Sequence, residues 1–220
     1  MGFNVEKAKN VQLMLADRVV ERDLLVYPPR NVAGVDVAYI DNYAIGAAIL
    51  MDYEGLYVIE SSVTAVEVNI PYIPTFLAFR EIPAMAKAVK RLRARPDVLL
   101  VDAHGRIHPR RLGAASHLGL ILGIPTIGVA KKHLYGRESG GYIVNGGEVL
   151  GRKLDRDIFV SIGHMITLDT AVKIVERLRL YSLPEPVRKA HKLAEKVKNM
   201  VKLGEIDIDT LMCKRFNGAF

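Results

Sequence analysis

The run Val98-Leu-Leu-Val101 constrains the fold more than any other stretch. Four consecutive apolar residues read as a short strand buried on both faces, the kind found in an open α/β sheet. The run ends at Asp102 and enters a polar loop that holds His104, Gly105, Arg106, His108, Arg110 and Arg111. Ligands in such sheets sit outside the carboxyl ends of the strands, so Asp102 stands where chemistry concentrates. A metal-held acid facing an anionic substrate is the first expectation.

The rest of the chain supplies the layers. A helical period over residues 4–23 predicts an amphipathic helix, stopped by Pro28-Pro29. Strands are expected over 32–40, 43–51 and 56–68, the first two joined at Asp41-Asn42. A helix with Pro83 inside it follows over 75–95, and Pro96 precedes the strand at 97–102. A helix over 111–123, a strand over 126–130, a hairpin over 141–150 around Asn145-Gly146 and a strand over 158–163 come next. Helices over 168–181 and 186–203 and a tail from about 204 to 220 complete a single expected domain, 1–220. The order predicts an α/β fold: a mixed sheet, antiparallel at one side and parallel at the other, with helices on both faces.

Several polar groups occupy positions that should be apolar. Asp36 lies in Val32-Ala-Gly-Val-Asp36-Val-Ala-Tyr-Ile40, where everything else is apolar or glycine. A buried carboxylate needs a cation or strong donors, so Asp36 is either a ligand or a structural acid bonded to a nearby turn. Glu81 falls in the stripe of Leu77, Ala84, Met85, Ala88 and Leu92; the alternative is a rim position paired with Arg80. With Asp102, these acids match the hard oxygen donors that Mg²⁺ takes. His191 lies beside the apolar stripe of the last helix, as a core histidine or a catalyst. His104 and His108 are four residues apart but in a loop rather than on a helix, and no cysteine supports them or His164, which rejects zinc.

Lys and Arg number 31 against 24 Asp and Glu, a net charge of +7 that favours an anionic partner such as nucleic acid. Lys87, Lys90, Arg91, Arg93 and Arg95 read as one solvated helix face. Arg106, Arg110, Arg111, Lys131 and Lys132 instead follow buried strands, and Lys131 is placed to meet a phosphate. The lone Cys213 forms no intramolecular disulfide, and the longest apolar run, 118–130, contains Pro125 and is too short to span a bilayer. A soluble, cytoplasmic, monomeric protein with no membrane contact is expected.

Five blocks in order carry a family resemblance: Val-Ala-Gly-Val-Asp36-Val-Ala-Tyr39; Pro71-Tyr-Ile-Pro74 leading to Ala78-Phe-Arg-Glu81; Val101-Asp-Ala-His-Gly105 leading to His108-Pro-Arg110; Gly128-Val-Ala-Lys-Lys132; and Ala190-His-Lys-Leu-Ala194, preceded by Gly163-His164 and Leu168-Asp169. Together they resemble endonuclease V. The resemblance implies an RNase H-like fold and a Mg²⁺-dependent repair nuclease, with Mn²⁺ as the expected substitute. Its substrate would be damaged DNA carrying deaminated adenine, that is inosine, or inosine-containing RNA. It would nick one nucleotide 3′ to the lesion and leave 3′-hydroxyl and 5′-phosphate ends. By motif position, Asp36, Asp102 and Glu81 resemble the metal-binding acids, His191 a histidine near the metal, and Lys131 a lysine near the scissile phosphate. Tyr72, Ile73 and Pro74 match a wedge that enters the strand, with Arg110 and Lys131 as further DNA contacts. Leu77, Ala103, Gly105 and His108, with Gly113, Gly128 and Leu134, fall where the family forms its base pocket. Two positions depart from the pattern: Thr75 and Ala103 stand where the family usually has glycine. The competing expectations are an RNase H-like nuclease for branched DNA or RNA, and a catalytically silent nucleic-acid-binding protein.

Overall fold

The computed structural model describes residues 2–155 and 158–213. Strands β1 (Asn31–Ile40), β2 (Tyr43–Asp52) and β3 (Val58–Glu67) form an antiparallel meander. β4 (Val98–Val101) and β5 (Thr126–Ala130) run parallel to β1. β6 (Arg137–Ser139), β7 (Tyr142–Asn145), β8 (Glu148–Leu154) and β9 (Ile158–His164) are antiparallel. Among the described residues they make one nine-stranded sheet in the order β3-β2-β1-β4-β5-β9-β8-β7-β6. The order β3-β2-β1-β4-β5 agrees with the RNase H-like fold that the resemblance implies. One detail differs: the parallel strands lie at the centre, with antiparallel strands on both sides. β5 pairs antiparallel with β9, which the alternation of helix and strand did not reveal.

Two apolar layers cover the sheet. Helices α2 (Leu77–Arg91) and α3 (Ala114–Leu122) pack on one face, around Ala33, Val35, Leu50, Leu99 and Val101. Helices α4 (Leu168–Leu178) and α5 (Glu185–Lys202) pack on the other, around Val32, Ala38, Leu100 and Ile127. β1 and β4 are therefore buried on both faces, as continuous apolar runs require.

Helix ends depart most from expectation. α1 (Val5–Ala16) stops seven residues short of 23, and Asn4 caps it by accepting from the Lys7 amide. Its buried face carries Ala8 and Gln12 while Leu13 and Met14 are exposed, so the apolar residues pointed to the wrong side. α2 ends at Arg91 rather than 95, because Leu92 turns extended. The hairpin near Asn145 turns at Gly146-Gly147, one residue later than expected, and β6 went unseen. Residues 208–213, read as tail, form α6 (Ile208–Cys213) with Leu211 buried. Lys87 and Arg91 of the supposedly solvated face donate to the Leu211 and Met212 carbonyls and so cap that helix. Among the described residues no helix is long and apolar enough to cross a membrane.

Gly34 fixes how α5 lies on β1. A Cβ there would come within 2.1 Å of the Pro186 carbonyl carbon, so the helix start touches the bare strand. Two residues along the strand advance about 6.7 Å and four along a helix about 6 Å. The contact at Gly34 therefore carries His191 to Asp36. Gly34→Ala forces backbone apart, and an expected loss of roughly 3 kcal/mol or more appears as a lower melting temperature. A melt matching the parent would refute this account of the docking.

Candidate active site

The cleft forms at the carboxyl end of β4, beside the middle of β1. Val35 pairs with Val101, and the Asp102 amide donates to the Val35 carbonyl, so Asp36 and Asp102 emerge side by side. Asp36 is 8% exposed in its strand. His191 reaches down from α5 and bonds the Asp36 Oδ2 through Nδ1 at 2.7 Å. Asp36, Asp102 and His191 each offer a ligand atom, all within 4.8 Å of one another. Lys131 follows β5, and its Nζ lies 3.4 Å from the Asp102 carboxylate.

Negative charge is in excess here. Burial raises the Asp36 carboxyl above its usual range and Asp102 raises it further, while the His191 bond opposes both. Glu81, buried on α2, is pushed up to about 8, by burial first and then by Asp36 and Asp102. It lies outside the tight group of three, and the Tyr39 hydroxyl donates to it at 3.4 Å. The Arg80 guanidinium stacks 4.3 Å from the Tyr39 ring, which holds that hydroxyl in place. Two carboxylates and an imidazole with surplus negative charge suit a divalent cation.

Beside this cluster lies a cavity of about 190 Å³, and Asp102 belongs to both. Its volume is below the ~300–1,000 Å³ of drug-sized pockets, so it suits a group smaller than such a ligand. Leu77, Ala103, His108, Gly113 and Leu134 line it, with Tyr72 and Pro74 at its edge. Gly105 and Gly128 do not line it. They stand behind its wall: a Cβ on Gly105 would sit 2.0 Å from the Ile162 carbonyl oxygen, and one on Gly128 2.5 Å from the Gly105 amide. The Gly105 and Arg106 amides donate to the Ser161 hydroxyl and the Ile162 carbonyl, which presses the Asp102 loop onto β9. Tyr72 is 67% exposed.

The histidines of the loop are walls, not ligands. His108 donates Nε2–H to the Thr75 carbonyl and accepts from the Arg110 amide, which fixes it neutral. His104 bonds the Lys132 carbonyl through Nε2. The arginines expected to meet an anion also have protein partners. Arg106 pairs with Glu21 and Glu148, and Arg111 with Glu148. Arg110 donates to Gln12 and Thr75. Gln12, fully buried in α1, lines the cavity and was missed. Its only signal was a glutamine four residues after Ala8 in a helix.

The endonuclease V family model matches residues 13–192. An endonuclease V of Thermofilum pendens is 47% identical over 203 residues, 86% of this chain and 87% of that protein. The crystal structure of the Streptomyces avermitilis endonuclease V superposes with a TM-score of 0.83 at 35% identity, covering 90% of this chain and 95% of that one. A Ciona intestinalis endonuclease V, bound to a 24-nucleotide DNA containing an inosine followed by a ribo-adenosine, superposes at 0.82 with 29% identity, covering 90% and 98%.

Proposed function

Since this chain belongs to the endonuclease V family, we propose that it is a repair endonuclease that reads a deaminated base, chiefly inosine, and nicks the strand one nucleotide to its 3′ side. One observation carries the reading. Asp102 is shared by the acidic cluster and the small cavity, so a base held in the cavity brings its own strand to the cluster. The Ciona relative bound to inosine-containing DNA supports the substrate class.

The base would leave the stack, because its edge is not read fully inside a duplex, and the exposed Tyr72 would fill the gap it leaves. Asp36 and Asp102 would hold a divalent cation, Mg²⁺ by the hardness of their oxygens, with His191 and Glu81 beside it. When bound, that cation supplies Lewis-acid polarisation of the phosphate and a water of lowered pKa. Lys131, next to Asp102, neutralises charge growing on the phosphate oxygens. His191 is oriented by its bond to Asp36 and takes a proton from the attacking water. Ala103 lines the pocket where glycine is usual, so the range of bases accepted turns on its methyl. The reading is completed by one domain, a monomeric state and a cytoplasmic location.

The test is a labelled duplex with one inosine, and its all-RNA counterpart, incubated with Mg²⁺, Mn²⁺ or EDTA and resolved on a denaturing gel. The expected product is a single nick one nucleotide 3′ to inosine, with either metal and not with EDTA. Cutting that ignores inosine, or persists in EDTA, would overturn the proposal.

A further inference from the structure

Thr75 holds a backbone conformation that its side chain disfavours. Its φ is +68°, the left-handed region, where a β-branched residue is a genuine outlier. Such strain persists only when the surroundings over-determine it. Here they do. The Thr75 carbonyl accepts from Gln12 Nε2 at 3.0 Å, His108 Nε2 at 2.9 Å and Arg110 Nη2 at 3.0 Å. The Thr75 hydroxyl accepts a fourth bond, from Arg110 Nη2 at 2.6 Å. Arg110 is itself held by Gln12 Oε1 at 2.6 Å and lies 4.3 Å over the Phe76 ring. Glycine at this position would carry neither the strain nor the hydroxyl.

We infer that Thr75 is a positioning residue whose hydroxyl, clasped by Arg110, latches the Tyr72–Pro74 turn against the cavity wall before substrate arrives. The inference rests on the cavity's being the base pocket. Gln12, Thr75, His108 and Pro74 all line that cavity, so the latch sets the distance between the wedge and the pocket floor. A pocket formed in advance spares the ordering cost of binding and admits only bases that fit the fixed wall. Thr75 thus acts on recognition, and none of its hydrogen bonds is made to Asp36, Asp102 or His191.

Thr75→Ser keeps the hydroxyl; Thr75→Ala loses it while keeping the Cβ and its backbone restriction. The Phe76 amide, which donates to the Ile73 carbonyl at 3.0 Å, reports the turn by hydrogen exchange. Exchange in the serine variant is expected to match the parent, and in the alanine variant to run about tenfold faster at an unchanged melting temperature. On the inosine duplex, alanine raises KM about tenfold with kcat within about twofold, and serine restores KM. Alanine behaving like serine in both measurements would overturn the latch, as would both variants shifting together. If the parent fails to nick inosine DNA, the proposed function falls, while the exchange comparison still decides the latch.

Discussion

Asp36→Asn is expected to abolish nicking and to leave the protein as stable as before or more so. The carboxyl is buried in β1, and burial with the neighbouring Asp102 already works against its charge. Asparagine keeps the shape and removes that penalty. Cation affinity is what the change destroys. Loss of about 4 kcal/mol of transition-state stabilisation is on the order of a thousandfold in rate. Single-turnover cleavage of the inosine duplex measures the first effect and a thermal melt the second. Retained binding of the duplex, read by fluorescence anisotropy, separates a lost reaction from lost recognition. A fall in melting temperature alongside the lost activity would mean that Asp36 holds the strand together rather than the chemistry.

Stability without divalent metal is expected to peak near pH 6.5 and to fall steeply toward pH 4. His104, His108 and His117 are all drawn down to about 4, by burial first in each case. His108 and His117 are 2% and 7% exposed. With folded values below the unfolded 6.5, the unfolded chain takes protons first. Their contribution is thus complete above 6.5 and disappears as the pH falls toward 4, at about 3 kcal/mol for each group. Glu81 has the opposite sign. Raised to about 8 from 4.5, it adds stability as the pH falls from 8 and so weakens the protein on the alkaline side. Between 6.5 and 4 the three histidines outweigh it by several kcal/mol, a large share of a ~5–15 kcal/mol total. A pH series of melts in EDTA checks the peak, and His117→Gln is expected to flatten its acid limb. A flat profile from pH 7 to 4 would show that these rings are not buried neutral.

What the sequence made legible was what its own neighbours determine. β1 and β2 were placed to within a residue because their apolar runs and the Asp41-Asn42 turn are local signals. Asp36 announced itself as the one carboxylate in an apolar strand, and the bond from His191 explains how it is tolerated there. The partners of Arg106, Arg110 and Arg111 were not legible, because they lie on segments far along the chain. That Gln12, 98 residues earlier, accepts from Arg110 is written nowhere near Arg110 in the sequence. Gln12 was hidden by the same logic. Its helix buries a polar side chain toward the cavity and exposes Leu13, so the apolar period led away from it. Helix ends failed for a related reason: Leu92 leaves the helix through its own backbone angles, before any proline requires it.

The bond between His191 and Asp36 joins residues 155 positions apart, and it exists only because α5 docks on Gly34. Contacts so distant in sequence form late, after the loop-closure entropy of the intervening chain has been met. During synthesis, β1 and β4 therefore emerge and can pair before the imidazole that completes the cluster. The nascent chain carries its acids without their third partner until α5 has followed them out. The docking of α5 thus completes the core and the three-residue cluster in one step.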